Sequence, residues 1–129
     1  YPWLFNYIKG EEWRTQKELN RLMATYFKNA PDGLPGNDDT GTMSTWIVYA
    51  MMGIYPVLPG DMNYAIASPV FDEVKIQLDQ NFYPGSEIII KKSGAGDKIK
   101  SISLNGKKQK SFFINHTDLV KGGVLEINF

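Results

Sequence analysis

The sequence holds no cysteine and a single histidine, His116. Disulfides, thiolate zinc sites and cysteine nucleophiles are therefore excluded. Lack of cysteine does not by itself fix a compartment. No apolar run reaches the roughly 18 residues that a bilayer-spanning helix needs. Charge of one sign is missing too: 14 basic and 14 acidic residues cancel. The totals thus give no support to a basic nucleic-acid surface or a membrane-binding patch. Neither an internal repeat nor a low-complexity segment is present.

What is present suits a folded domain. The chain has 129 residues, 43% hydrophobic and 22% charged, enough for one ordinary core. It opens on Tyr1-Pro-Trp-Leu-Phe, aromatic from the first position, where a free terminus is usually polar and frayed. The expectation is a cut through something larger.

The halves differ in period. Residues 1–60 carry apolar positions at helical spacing. Trp13, Leu19, Leu22, Met23, Tyr26 and Phe27 share a face between Gly10 and Pro31, and a shorter helix is expected near Trp3 to Ile8. Met43, Trp46, Ile47, Ala50, Met51 and Ile54 form the clearest stripe, closed by Gly53 and Pro56. From residue 61 the period becomes two. Val74, Ile76 and Leu78 alternate with polar residues, and Ile88 to Ile90 is a β-branched run. Ile99 to Leu104 leads into Asn105-Gly106, a hairpin signal, with Ser111 to Ile114 as the expected return strand. Val124 to Phe129 reads as the last strand. The predicted class is α+β: two or three helices in 1–60, then an antiparallel β region in 61–129.

Residues 31–46, PDGLPGNDDTGTMSTW, form a shaped loop rich in proline and glycine. Asn37, Asp38 and Asp39 stand in a row just before a helix expected near Thr42. Carboxylates there suit the helix N-terminus, and Asp, Asn, Thr and Gly are ordinary capping residues. Two adjacent aspartates nevertheless repel unless a cation, donor or water separates them. Calcium takes about 6–8 oxygen ligands, of which this loop could supply a part. The EF-hand spacing is absent.

The stretch GLPGNDDTGTMSTWIVYAMMGIYPVLPG, residues 33–60, resembles the signature of glycoside hydrolase family 92, the calcium-dependent exo-acting α-mannosidases. The resemblance is collinear on both sides. Upstream it takes in PWLFNYIKGEEWRTQKELNRLM at 2–23. Downstream it takes in Tyr64 to Phe71, Ile102 to Gly106 and Ile114 to Gly123. It implies a much longer parent with an N-terminal β-sandwich and a catalytic (α/α)6 barrel, of which this chain would be the C-terminal end. It also implies a secreted or periplasmic location, mannose-containing glycans as substrate, and the rest of the parent as partner.

The resemblance carries roles onto three residues. Asp39 resembles the general base of an inverting mechanism, Asp38 an acidic calcium ligand, and Asn37 a residue that helps hold water or sugar. In the family, calcium binds sugar hydroxyls and acts as a Lewis-acid template. The general acid would lie upstream, so the chain alone is expected to be inactive on α-mannosides. Inverting carboxyls sit about 6.5–9.5 Å apart. Adjacent Asp38 and Asp39 are therefore poor candidates for the two halves of that pair.

Other residues read as structural. Glu11, Glu12 and Glu18 suit a solvated helix face. His116 matches the family tail His-x-Asp-Leu-x-x-Gly-Gly, a turn element. Trp13 and Trp46 lie on apolar stripes, and Trp3 is left undecided. The lysines from 91 to 121 suit the wet face and edge of a sheet. A non-catalytic β module is the alternative, with Phe82, Tyr83, Phe112 or Phe113 as sugar or partner contacts. Exposed apolar helix faces would favour self-association.

Overall fold

The computed structural model describes residues 1–129. A 3-10 helix at Pro2–Tyr7 takes the place of the expected first helix. Helix α1 follows at Trp13–Tyr26 and α2 at Thr42–Met52. Eight strands come next: β1 Ile54–Tyr55, β2 Asn63–Ile66, β3 Glu73–Gln77, β4 Glu87–Ser93, β5 Ser101–Leu104, β6 Lys107–Lys108, β7 Phe113–Asn115 and β8 Gly123–Asn128. A single-turn helix, α3, at His116–Leu119 separates β7 from β8. No helix is long and apolar enough to cross a membrane.

The class is α+β, with helices before sheets. One sheet has the order β1-β2-β7 and the other β3-β4-β8-β5-β6. The β region departs from the all-antiparallel expectation at one place: β4 and β8 pair in parallel, Ile88 opposite Gly123 through Ser93 opposite Asn128. β4 lies between β3 and β8. Its unbroken isoleucine run suits an interior strand with little wet surface on either face.

The hairpin turn also forms, but with another partner. Asn105 and Gly106 both take positive φ, 51° and 81°, as a two-residue turn of this hand requires. The return strand is Lys107–Lys108, and Phe113–Asn115 leaves to pair with β2 in the other sheet. Ile114 is drawn between the sheets, where it is 2% exposed.

The layers follow from side-chain alternation along β2. Ile66 joins a core with Ile54, Ile88, Ile90, Ile102, Ile114, Leu119, Leu125, Ile127 and Phe129, which fills the space between the two sheets. Its neighbours Ala65 and Ala67 point the other way and pack with Trp3, Leu19 and Ala50. The small sheet is thus the middle layer, with helices outside it. Alanine in β2 at 65 and just past its end at 67 leaves room for Trp3, which stacks on Tyr55 with ring centroids 5.2 Å apart.

Polar groups lock the helical layer to the sheet. Buried Asn6 donates through Nδ2 to the backbone oxygens of Ile66 (2.9 Å) and Phe112 (3.1 Å). Buried Thr15 donates to Asn6 Oδ1 at 2.5 Å, with Pro2 O at 3.1 Å. Gly53 ends α2 at φ 81°, and a Cβ there would sit 2.7 Å from Pro69 N. Strand β1, within residues 1–60, pairs with β2 across the 60/61 boundary.

Trp13 departs from the expected packing. It is 38% exposed because the inward positions of α1 are Thr15 and Leu19, each 0% exposed. Trp46 is half-buried and stacks on Phe27 at 5.5 Å. Trp3, left open by the sequence, is core.

Candidate functional site

The loop between α1 and α2 is held by its own backbone. Lys28 N–H donates to Gly33 O (3.0 Å) and Gly33 N–H to Ala30 O (2.9 Å). A Cβ on Gly33 would lie 2.0 Å from Lys28 O, so only glycine fits there. A short 3-10 turn, Asp39–Gly41, then leads into α2. Within it Thr40 takes φ 53°, a left-handed conformation that a β-branched residue rarely adopts. Such strain persists only where its surroundings over-determine it. Here the Asp39 carbonyl accepts hydrogen bonds from Thr40 Oγ1 (2.7 Å) and Thr42 Oγ1 (2.6 Å).

The two aspartates have different surroundings. Asp38 receives the backbone N–H of Ser44 on Oδ1 (2.9 Å) and the Ser44 hydroxyl on Oδ2 (2.5 Å). Ser44 is the third residue of α2, so Asp38 satisfies an N–H that the helix leaves free. These bonds, the Ser44 hydroxyl first and its N–H second, hold the Asp38 carboxyl below the usual range. The carboxylate of Asp39 enters none of the four ion pairs in the chain. Asn37, Asp38 and Asp39 are all exposed. The adjacent pair thus differs in hydrogen bonding: the Asp38 carboxylate is held by Ser44 at the helix start, and neither carboxylate has an ionic partner.

Oxygen donors of this kind fit a hard cation such as calcium. The chain nowhere gathers three His, Cys, Asp or Glu side chains that could hold a metal. Asn37, Asp38 and Asp39 therefore match calcium in donor type and would supply only part of a shell.

Sequence reasoning did not identify Ser44 as the partner of Asp38. The signal was available as an acidic residue shortly before a helix with serine in its first turn. His116 begins α3, and its Nδ1 lies 2.9 Å from the Tyr64 hydroxyl. Burial, with the Tyr49 and Tyr83 phenols nearby, raises Tyr64 above the usual tyrosine range. The pair lies far along the chain from the aspartate loop and braces β2 against β7. Glu11 and Glu18 form ion pairs with Arg14 and Arg21 one turn on, as a solvated helix face would. Phe82 stands 80% exposed and Tyr83 37%, whereas Phe112 and Phe113 are half-buried.

Comparisons with known proteins bear on this geometry. Residues 1–129 match the Glycosyl hydrolase family 92 catalytic domain. A protein of Arthroderma benhamiae described as an uncharacterized secreted glycosidase is 30% identical over 129 residues, covering 96% of this chain and 16% of that protein. A family GH92 alpha-mannosidase from Bacteroides thetaiotaomicron, solved in complex with mannoimidazole, superposes with a TM-score of 0.84. Its identity is 31%, over 98% of this chain and 16% of that one. A family GH92 inverting mannosidase from Bacteroides thetaiotaomicron VPI-5482 gives 0.81 at 32% identity, over 98% and 17%. The chain spans about a sixth of the length of these relatives. Its sequence match and its arrangement of helices and sheets agree on one assignment: the chain belongs to glycosyl hydrolase family 92.

Proposed function

We propose that this chain is the C-terminal part of a secreted or periplasmic α-mannosidase and carries the general base of an inverting, calcium-dependent hydrolysis of α-mannosides. The observation that supports this reading is the state of Asp39. Its carboxylate is exposed and free of ion pairs, and it sits on a loop held by glycines, threonine hydroxyls and a left-handed Thr40. A base needs an accessible carboxylate in a fixed position. Asp39 would accept the proton of the attacking water on the face opposite the leaving group. Asn37 would help to hold that water or a sugar hydroxyl.

Asp38 is the proposed calcium ligand, with its remaining lone pairs available beside the Ser44 bonds. Bound calcium supplies Lewis-acid orientation of sugar hydroxyls. The general acid would come from a part of the parent outside this sequence. Glu11 and Glu18 are engaged in ion pairs, and Asp38, adjacent to Asp39 on one loop, is a poor candidate for the other half of an inverting pair.

The test is mannose release from an α-1,2-linked mannobiose. The parent enzyme with Asp39→Asn should lose about 10²–10⁴-fold in kcat, the usual contribution of a general base. The 129-residue chain alone should release no mannose. Wild-type rates in the Asp39→Asn parent, or Asp39-dependent release by the chain alone, would overturn the reading.

A further inference from the structure

We propose that the cleft between the start of α1, the β4–β5 connection and Phe129 binds an anionic saccharide, a pyranose that carries a carboxylate or a phosphate. The cleft has a volume of about 690 Å³, and Trp13, Gln16, Lys17, Asn20, Lys92 and Lys98 are among its walls. That volume lies within the roughly 300–1,000 Å³ typical of small-molecule sites.

It is a different place from the aspartate loop. Phe27, just past the end of α1, stacks on Trp46 beside the start of α2, whereas Trp13 and Lys17 occupy the opposite end of α1. Fourteen helical residues at 1.5 Å each separate the two ends by about 21 Å. The inference does not rest on the reading of Asp39.

Three features select the ligand class. The first is an aromatic wall. Trp13 is 38% exposed, and the part of its indole that Lys17 and Lys98 leave uncovered can meet the C–H face of a pyranose. The second is charge. Lys98 Nζ lies 5.1 Å and Lys17 Nζ 5.9 Å from the Trp13 ring centroid, and Lys92 Nζ lies 5.1 Å from that of Phe129. None of these lysines belongs to an ion pair. Asp97 is the single carboxylate among the lining side chains. Three ammonium groups outnumber the Asp97 carboxylate and the terminal carboxylate of Phe129 and favour an anion, and their place around an aromatic wall favours an anion attached to a ring.

The third feature is a fixed amide pair. Gln16 accepts the Ser68 backbone N–H through Oε1 and donates from Nε2 to Asn20 Oδ1 at 2.8 Å. This arrangement orients Asn20 so that its Nδ2 group is a donor for a sugar hydroxyl. A neutral sugar would leave the lysines with their aromatic contacts alone, and a bare anion would leave the indole and the amide unused.

The test is an NMR titration of the full 129-residue chain with glucuronate and with glucose 6-phosphate, with glucose and inorganic phosphate as controls. The reporter is the indole N–H signal that disappears in Trp13→Phe. It should shift saturably with both anionic sugars, and each control should bind at least about tenfold more weakly. The Lys17→Gln/Lys98→Gln double variant replaces two exposed side chains, so its melting temperature should match the wild type. It should weaken both anionic sugars by about tenfold. Three results would each overturn the proposal: no saturable shift, inorganic phosphate binding as tightly as the sugars, or unchanged affinity in the double variant.

Discussion

The β region and the helical region are packed to different standards. Between the two sheets, ten buried residues form one continuous core, seven of them isoleucine. Between the helices and the small sheet there are five, two of which exceed alanine in size. Helix α2 is apolar almost all round, yet Ala50 is its one buried residue, and Val48 is 54% exposed. Helix α1 buries Thr15 and Leu19 alone. An apolar groove of about 660 Å³ runs between them, lined by Met23, Phe27, Leu34, Ile47 and Met51. The strands of the β region cover their own apolar side chains, with exposed ones such as Phe71 and Phe82 in loops, and the helical region leaves much of its apolar surface uncovered. An aromatic residue on a helical stripe is therefore no guarantee of burial within the same chain.

The contrast can be broken from either side. Leu125→Ala cuts the centre of the sheet core, where Leu125 is 0% exposed. It should cost about 3–5 kcal/mol and unfold the whole chain at lower urea, read by circular dichroism. Leu19→Ala, equally buried but in the thin core, should cost about 2–3 kcal/mol, because fewer neighbours surround the cavity. Its effect should fall on amide exchange in α1 more than in β4 or β8. A uniform rise in exchange across both regions would show that the two cores unfold as one.

Trp3→Phe should sharpen the comparison through a smaller change. Trp3 is 2% exposed, and its indole N–H has no hydrogen-bond partner. A buried orphan donor costs about 1–3 kcal/mol, so losing it offsets much of the lost ring area. The expected net change is within about 1 kcal/mol, measured by urea unfolding. A loss as large as that of Leu19→Ala would show that the N–H is satisfied after all.

The smallest effect belongs to Asp38. Its folded carboxyl titrates below the ordinary value because Ser44 bonds its charged form. The stability that it contributes is complete above the unfolded value of about 3.9 and is lost as pH falls through the lower folded value. The Ser44 amide signal should therefore move in that acid range, and Asp38→Ala should abolish the movement. An unchanged titration of Ser44 in the variant would rule out the cap.

Much of this was legible in the sequence, for local reasons. The Met43-to-Ile54 stripe, the αL stop at Gly53 and the Asn105-Gly106 turn are short-range signals. They survive because each depends on neighbours within a turn or two. The Thr42 helix start behind the aspartates was readable for the same reason. Long-range choices were not. Whether Lys107–Lys108 or Ser111 to Ile114 returns from the turn is settled by which side chain reaches the inter-sheet core, and Ile114 wins that place. The parallel pairing of β4 with β8 joins segments more than thirty residues apart and leaves no local mark. At the candidate site, the aspartates were legible as a motif, but the difference in their hydrogen bonding depended on Ser44, six residues beyond Asp38.

The Asn6 clamp has a consequence for how the chain is made. Its second acceptor, Phe112 O, lies 106 residues downstream. A ribosome adding about 5–20 residues per second would deliver that acceptor about 5–20 s after Asn6 itself. During the second half of that interval Asn6 has one of its two acceptors, Ile66 O, and waits for the other. The lock between the 3-10 segment and the small sheet is therefore finished only after residue 112 has been made, although the residues that pack on Trp3, from Leu19 to Ala67, come earlier.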